Sequence, residues 1–303
     1  MTISLFFRKV YWHLFKVMPC EMILKTKWDE YRKVEKKYWN NHFEIASMNA
    51  NNVDVIPNKN IFVYWDKGFD KAPDIVKVCY QRLQQYIPEG WRLIALTDKN
   101  VDDYIKMPAF VEDMIRGGGQ MFRANYSDIL RTALLYFYGG IWIDSTCLMT
   151  KEFPTEILND ELFMFSTQNS ILPCFPDVFE NWFIRSDKEN YVLGRILENV
   201  LFYFKHASKP KSIYFVYFYI LAALYRNDSK ARDLMNDIMY WCNKDALLML
   251  VTYGLNAKYN SRLWHQLTSK CFVQKLTYKY DEKLALSNDD ILLKHILNID
   301  NNG

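Results

Sequence analysis

The stretch Phe122–Thr146, FRANYSDILRTALLYFYGGIWIDST, decides how this chain folds. Ile129, Ala133 and Phe137 recur every four residues, and Leu130 with Leu134 widens the same stripe, which is the spacing of a helix with one apolar face. Gly139 and Gly140 follow. Glycine enters the left-handed conformation with the least steric penalty, so the pair predicts the end of the helix. Ile141, Trp142 and Ile143 then form a short apolar run, the pattern of a strand buried on both faces. The run stops at Asp144, with the hydroxyls of Ser145 and Thr146 just beyond. Open α/β sheets bind ligands beyond the carboxyl ends of their strands, so Asp144 stands where chemistry is expected.

The helix carries polar groups of its own. Asp128 and Arg131 are three apart, so they share a face and reach one ligand. Asn125 and Ser127 precede them near the helix start. The same spacing also makes an intrahelical ion pair, and an Asp after a strand also caps a turn. Both readings stay open on the residues alone.

In their order, Ala124, Ser127, Asp128, Arg131, Leu135, Tyr136, Tyr138, Gly139, Gly140, Trp142 and Asp144 resemble the core motif of bacterial capsular polysaccharide synthesis glycosyltransferases, relatives of the DXD sugar-binding transferases. The resemblance covers residues 60–155 and, more weakly, the last part of the chain. It implies an α/β fold of the GT-A type, a Rossmann-like mixed sheet flanked by helices, with extra N- and C-terminal helices. It also implies that Asp128 and Arg131 hold hydroxyls of a donor sugar and that Asp144 serves the ribose and a metal, Mn²⁺ or Mg²⁺. One departure stands out: the second acid of the DXD falls on Thr146, giving Asp-Ser-Thr, which weakens the expected metal site or shares its task with a basic side chain.

The resemblance further makes Trp65, at a strand end, the contact for the nucleotide base. Asp98 is a candidate for the nucleotide or ribose, and Asn125, Ser127, Gly140, Ser145 and Thr146 complete the donor-binding set. Leu263-Trp264-His265-Gln266-Leu267 and Leu276-Thr277-Tyr278-Lys279 resemble the end of the same family, where a C-terminal residue returns to the metal; His265 is the candidate here. A lone histidine is also commonly structural, Trp65 reads equally as a core residue, and Asp98 as the start of a turn.

Composition sets the outer limits. A chain of 303 residues, half hydrophobic and 17% aromatic, holds enough apolar material for one large α/β domain with additions, or for two small domains, and is not disordered. A net charge of +3 supplies no field of the kind nucleic-acid binders use. The six cysteines are scattered with no C-x-x-C pair, which argues against a zinc ribbon and suggests a reducing compartment.

Residues 1–50 read as a helical extension, 55–280 as the catalytic domain and 281–303 as a helical tail. In residues 1–18, Ile3, Phe6, Phe7, Val10, Leu14 and Val17 share one side of a helix flanked by basic residues. That is the composition of an interfacial helix on an anionic membrane, and equally of an amphipathic helix packed on the protein. Lys25–Lys37 reads as a solvated helix. Ile61–Trp65 and Arg92–Thr97 read as strands around a helix begun by Pro73, which argues for a parallel sheet with helical crossovers. Gly117-Gly118-Gly119 reads as a connection, not a phosphate cradle. Phe163–Ser166 and Trp182-Phe183-Ile184 read as further strands, and Asp177, Asn181 and Asp187 as candidates for the acceptor side. Residues 190–250 are helical in pattern. Ile213–Tyr225 is too short to span a bilayer and reads as a buried helix. Ser287-x-x-Asp290 resembles a capping box before Ile291, Leu292 and Ile296.

The expected function is transfer of a hexose from a nucleotide-sugar, UDP-sugar favoured, to an oligosaccharide or lipid-linked acceptor in capsular or surface polysaccharide synthesis. Retention of anomeric configuration is implied by the resemblance. The expected location is cytoplasmic, peripheral at the inner face of the plasma membrane through residues 1–18. Two rivals are a nucleotide-sugar-binding protein without turnover and a membrane-surface scaffold. Nucleic acid is not an expected partner.

Overall fold

A computed structural model of the chain describes residues 20–45, 48–51, 53–116, 119, 121–167, 179–209, 213–238, 241–280 and 290–299. The amphipathic segment 1–18, Gly117, Gly118, Asp177 and Ser287 lie outside the described residues.

The first half runs α1 (Cys20–Tyr38), β1 (Asn49–Ala50), β2 (Asn60–Tyr64), α2 (Asp74–Gln85), β3 (Arg92–Leu96), α3 (Val101–Tyr104), β4 (Ile105–Lys106), α4 (Ala109–Arg116), α5 (Arg123–Tyr138) and β5 (Gly140–Ile143). The second half runs β6 (Cys147–Met149), α6 (Thr155–Asn159), β7 (Leu162–Ser166), β8 (Phe179–Ser186), α7 (Tyr191–His206), α8 (Val216–Asn227), α9 (Ser229–Asn236), α10 (Ser261–Lys270), β9 (Val273–Lys275) and α11 (Leu292–Leu297). The main sheet has five strands in the order β3-β2-β5-β8-β7. β2 pairs in parallel with both β3 and β5, as the strand–helix–strand reading predicts. The sheet is mixed, because β8 runs antiparallel to both β5 and β7.

The glycine pair sets the geometry on which the site depends. Gly139 (φ +66°) closes α5 and Gly140 (φ +115°) opens β5. A Cβ on Gly140 would stand 2.2 Å from the Asn60 carbonyl oxygen, and one on Gly139 would stand 2.0 Å from Asn58 Oδ1. Any side chain here would push β5 off β2. With hydrogen in its place, the chain reverses within two residues and β5 docks with Ile61 opposite Ile141. The helix thus runs back along its own strand. Its first turns lie at the carboxyl ends of β2, β3 and β5.

Strand alternation divides the core as the pleat requires. Phe62 and Trp142 face a helical layer with Leu130, Leu134, Leu197 and Ile220. Ile61, Val63, Ile141 and Ile143 face the opposite layer with Phe153, Phe163, Phe183 and Phe272. A third cluster joins Ile75 and Cys79 of α2 to Leu267 of α10 and Leu292 and Ile296 of α11. α8 is the buried helix its sequence predicts, with Tyr219 through Leu224 inside the core.

Two expectations change. α1 is not a solvated helix: Tyr31 and Val34 are buried, Tyr31 meeting the ring of Tyr219 and Tyr38 that of Tyr203. Its charged majority hides a stripe that repeats only every three or four residues. The last helix begins at Leu292, after Ile291, with no side-chain cap at its start. Among the described residues, no helix is long and apolar enough to cross a membrane. The described cysteines Cys79, Cys147, Cys242 and Cys271 are free thiols.

Candidate active site

Asp144 leaves β5 at the sheet's carboxyl edge, its N–H still donating to the Trp182 carbonyl of β8 (2.8 Å). A tight turn follows, with the Cys147 N–H donating to the Asp144 carbonyl (2.9 Å), and delivers the chain into β6. β6 pairs antiparallel with β9, with Cys147 opposite Lys275, and the Leu276 N–H donates to the Thr146 carbonyl (2.8 Å). This register brings the Lys275 ammonium onto the turn. Nζ donates to Asp144 Oδ2 (2.8 Å) and to Thr146 Oγ1 (2.7 Å).

The other Asp144 oxygen faces α5. Oδ1 accepts from the Trp142 indole (3.0 Å) and pairs with Arg131 Nη1 at 3.4 Å. Arg131 is buried at the centre of the group, its guanidinium over the Trp142 ring at 5.1 Å. Nη2 lies 3.4 Å from Asp128 Oδ1 and donates to Ser127 Oγ (3.1 Å). Nε donates to the Ser127 carbonyl (3.2 Å), and Nη1 also donates to the Asn181 carbonyl. Every guanidinium nitrogen is thus engaged by protein oxygens. Asn181 Nδ2 donates to Asp128 Oδ1 (2.8 Å), so β8 grips the helix from the far side. Asn125 donates to the Tyr214 carbonyl (2.9 Å), while its own Oδ1 is buried with no hydrogen-bond partner among the described residues.

The two carboxyls differ in character. Burial pushes Asp128 up to about 6; Arg131 pulls it back and the charge of Asp144 adds to the rise. Burial would raise Asp144 as well, but Lys275 and Arg131 outweigh it and hold that carboxyl below its ordinary value. Lys275 shows the reciprocal balance: burial would lower it, yet Asp144 holds it above the ordinary lysine value. The corner is therefore a fixed ion network near neutrality, with Asp128 titrating close to the physiological range.

The predicted residues sort clearly. Asp128, Arg131, Asp144, Ser127 and Thr146 meet in one network, Asn125 borders it, and Gly140 acts through the backbone. Ser145 occupies the turn between Asp144 and Thr146. Trp65 lies at the end of β2, half-buried, with its ring edge-on to Tyr278 at 5.3 Å. Asp98 sits beyond β3 on the same sheet edge, accepting from Tyr64 (2.5 Å) and paired with Arg123 at 2.9 Å. Asp187 turns instead to Arg185 (2.6 Å). His265 is exposed on α10, and the side-chain partners of Asp144 are Trp142, Arg131 and Lys275 instead. The C-terminal residue that returns to Asp144 is Lys275.

Sequence reasoning passed over Lys275, Glu180 and Tyr214, and left Asn181 undecided. A lysine two positions beyond the apolar run Cys271-Phe272-Val273 was the available signal. Glu180 accepts from Asn243 (2.7 Å), and burial raises its pKa. Tyr214 and Tyr278, two of the large side chains that stay exposed, both stand around this corner.

The corner does not fit a divalent cation. Both oxygens of Asp144 and the Thr146 hydroxyl already receive protein donors, two of them cationic. A hard cation needs several free oxygen ligands, and here it would have to displace an ammonium and sit beside a guanidinium. Among the described residues, no group of three or more His, Cys, Asp or Glu is placed to hold a metal.

A family model described as "Capsular polysaccharide synthesis protein" matches residues 20–296. No curated protein matches the chain. Among solved structures, the "PaToxG Glycosyltransferase" aligns over 84% of this chain and 99% of its own, at 13% identity and a TM-score of 0.40, a likeness too slight to bear on fold or function.

Proposed function

The chain belongs to the capsular polysaccharide synthesis protein family, and from that premise we propose that it is a glycosyltransferase of the GT-A type, moving a hexose from a nucleotide-sugar to a saccharide acceptor. The observation that carries this reading is the network of Asp128, Arg131 and Asp144 at the carboxyl ends of three parallel strands. That edge is where open α/β sheets receive nucleotides. Trp65 and Tyr278 offer aromatic faces for a base or sugar, and Asp98 stands at the same edge for the ribose.

In the reaction, the bond between the anomeric carbon and the diphosphate oxygen breaks, and its electron pair leaves with that oxygen. The acceptor hydroxyl oxygen forms the new bond to the anomeric carbon, and its proton passes to the departing diphosphate. Asp128, ionised above about pH 6, accepts hydrogen bonds from sugar hydroxyls. Arg131 is a positioning residue that holds Asp128 and Asp144 in a fixed relation; misplacement at such a centre reduces rate steeply. Asp144 orients Lys275 and stands toward the ribose. Configuration at the anomeric carbon is retained in this reading, UDP is the favoured nucleotide, and a lipid-linked saccharide at the inner membrane surface is the favoured acceptor. These finer points rest on the motif resemblance.

The test is nucleotide release by purified protein from a panel of UDP- and GDP-sugars, with Asp144→Asn in parallel. Release from one donor, reduced about 100-fold or more in the variant, is the expected result. Indifference of every donor to both proteins would remove the reading.

A further inference from the structure

We infer that Lys275 takes the place of the divalent cation: its ammonium is the built-in positive charge that receives the diphosphate leaving group, so donor binding and transfer need no metal. The inference rests on the glycosyltransferase reading and identifies how that site treats its leaving group.

At Asp-Ser-Thr the position of a second carboxylate carries a hydroxyl, and Lys275 Nζ bonds that hydroxyl and Asp144 together, at 2.7 and 2.8 Å. One carboxylate plus one ammonium is close to neutral, whereas two carboxylates would call for a dication. Loss of the acid and arrival of the lysine each raise the local charge by one, so together they stand in for the two positive charges of a dication. Position follows from the register of β6 on β9, which fixes the lysine backbone opposite Cys147. Little conformational freedom is left to lose on binding.

An ammonium has three donors. Two are directed at Asp144 and Thr146, and the third has no acceptor among the described residues. The side chain retains 18% exposure, so this donor has an outlet toward solvent. Arg131, by contrast, has every nitrogen engaged and its side chain only 6% exposed. Of the two cations in the network, Lys275 is the one free to meet a phosphate oxygen. Burial works against its charge, but the carboxylate of Asp144, in contact at 2.8 Å and aided by its other neighbours, keeps the ammonium charged. As the bond from sugar to diphosphate breaks, the electron pair settles on the diphosphate oxygen, and a fixed ammonium there stabilises the developing charge without reorganisation. The proton of the acceptor hydroxyl ends on the diphosphate, and Lys275 keeps its own.

The test is calorimetric titration of the full chain with UDP and GDP, in EDTA and in Mn²⁺, with uridine and guanosine as controls and Mn²⁺ titrated alone. The expected result is a nucleoside diphosphate bound in EDTA within about twofold of its affinity in Mn²⁺. Lys275→Met should weaken it about 10- to 100-fold while leaving the nucleoside affinity unchanged, and Lys275→Arg should recover most of the loss. The nucleoside control separates loss of a phosphate contact from loss of fold. Binding that needs Mn²⁺, saturable Mn²⁺ binding at the apo site, or equal diphosphate affinity in Lys275→Met would overturn the inference and leave the transferase reading intact. Failure of both diphosphates to bind under any condition would overturn the donor site itself, and the inference with it.

Discussion

Asp128 shows how one buried carboxyl sets two opposed demands. Its folded value of about 6 lies above the ordinary 3.8, so between those values the folded chain holds a proton that the unfolded chain has released. The stability contributed by protonated Asp128 is therefore full below pH 3.8 and is lost as pH rises through about 6. Asp144 has the opposite sign: its folded value is lowered, so its contribution is present above 3.8 and is lost as pH falls through that lowered value. Binding follows the ionised form of Asp128, since only the carboxylate accepts two sugar hydroxyls. Donor affinity is expected to rise about tenfold between pH 5 and pH 7, the span across a single ionisation near 6. In Asp128→Asn the profile should flatten, and the fall in urea midpoint over the same range should shrink. A wild-type profile already flat would show that this carboxyl does not meet the donor. At this scale Asp128, Arg131 and Asp144 were legible because they lie within one short stretch whose helix and strand spacing fixes where they point. Lys275 was not legible, because its partner is 131 positions away and nothing local announces the pairing.

The helix–glycine–glycine–strand unit is the element that carries the site, and its weak point is steric. Gly140 combines φ +115° with backbone of β2 where a Cβ would be. Gly140→Ala is expected to destabilise the protein by about 3 kcal/mol, through strain and separation of β5 from β2, and to be read as a lower urea midpoint. An unchanged midpoint would mean that β5 does not depend on this close approach. Periodicity made α5 and β5 legible, since each buries a continuous apolar pattern of its own. The β6–β9 ladder was hidden for the opposite reason. Each partner is only three residues long, and the register that matters is set by packing among Phe272, Phe183 and Trp241. The antiparallel β8 was legible as a strand but not in direction, because an apolar run carries no sign of which way it runs.

Across the whole molecule, the helical layer built by α1, α5, α7 and α8 supports the sheet from the face that holds Trp142, and the site occupies only one end of it. Stability and donor binding should therefore separate. Tyr31→Ala, on α1, removes a fully buried ring packed on Tyr219 and is expected to destabilise by about 3 kcal/mol. Calorimetry on the folded variant should return wild-type donor affinity; a loss there would tie α1 to the site. The class of fold was legible at this scale from the alternation of strands and helices, while the burial of α1 was concealed under its many lysines. The central claim is that the Asp128–Arg131–Asp144 network performs glycosyl transfer, and one measurement meets it directly. Purified protein is given its preferred labelled nucleotide-sugar with a saccharide acceptor, and label is followed into product beside Asp144→Asn. Label entering the saccharide with equal release of nucleotide, and lost in the variant, is the expected result. Saturable donor binding that never yields labelled saccharide with any acceptor would contradict the claim and leave a nucleotide-sugar-binding protein.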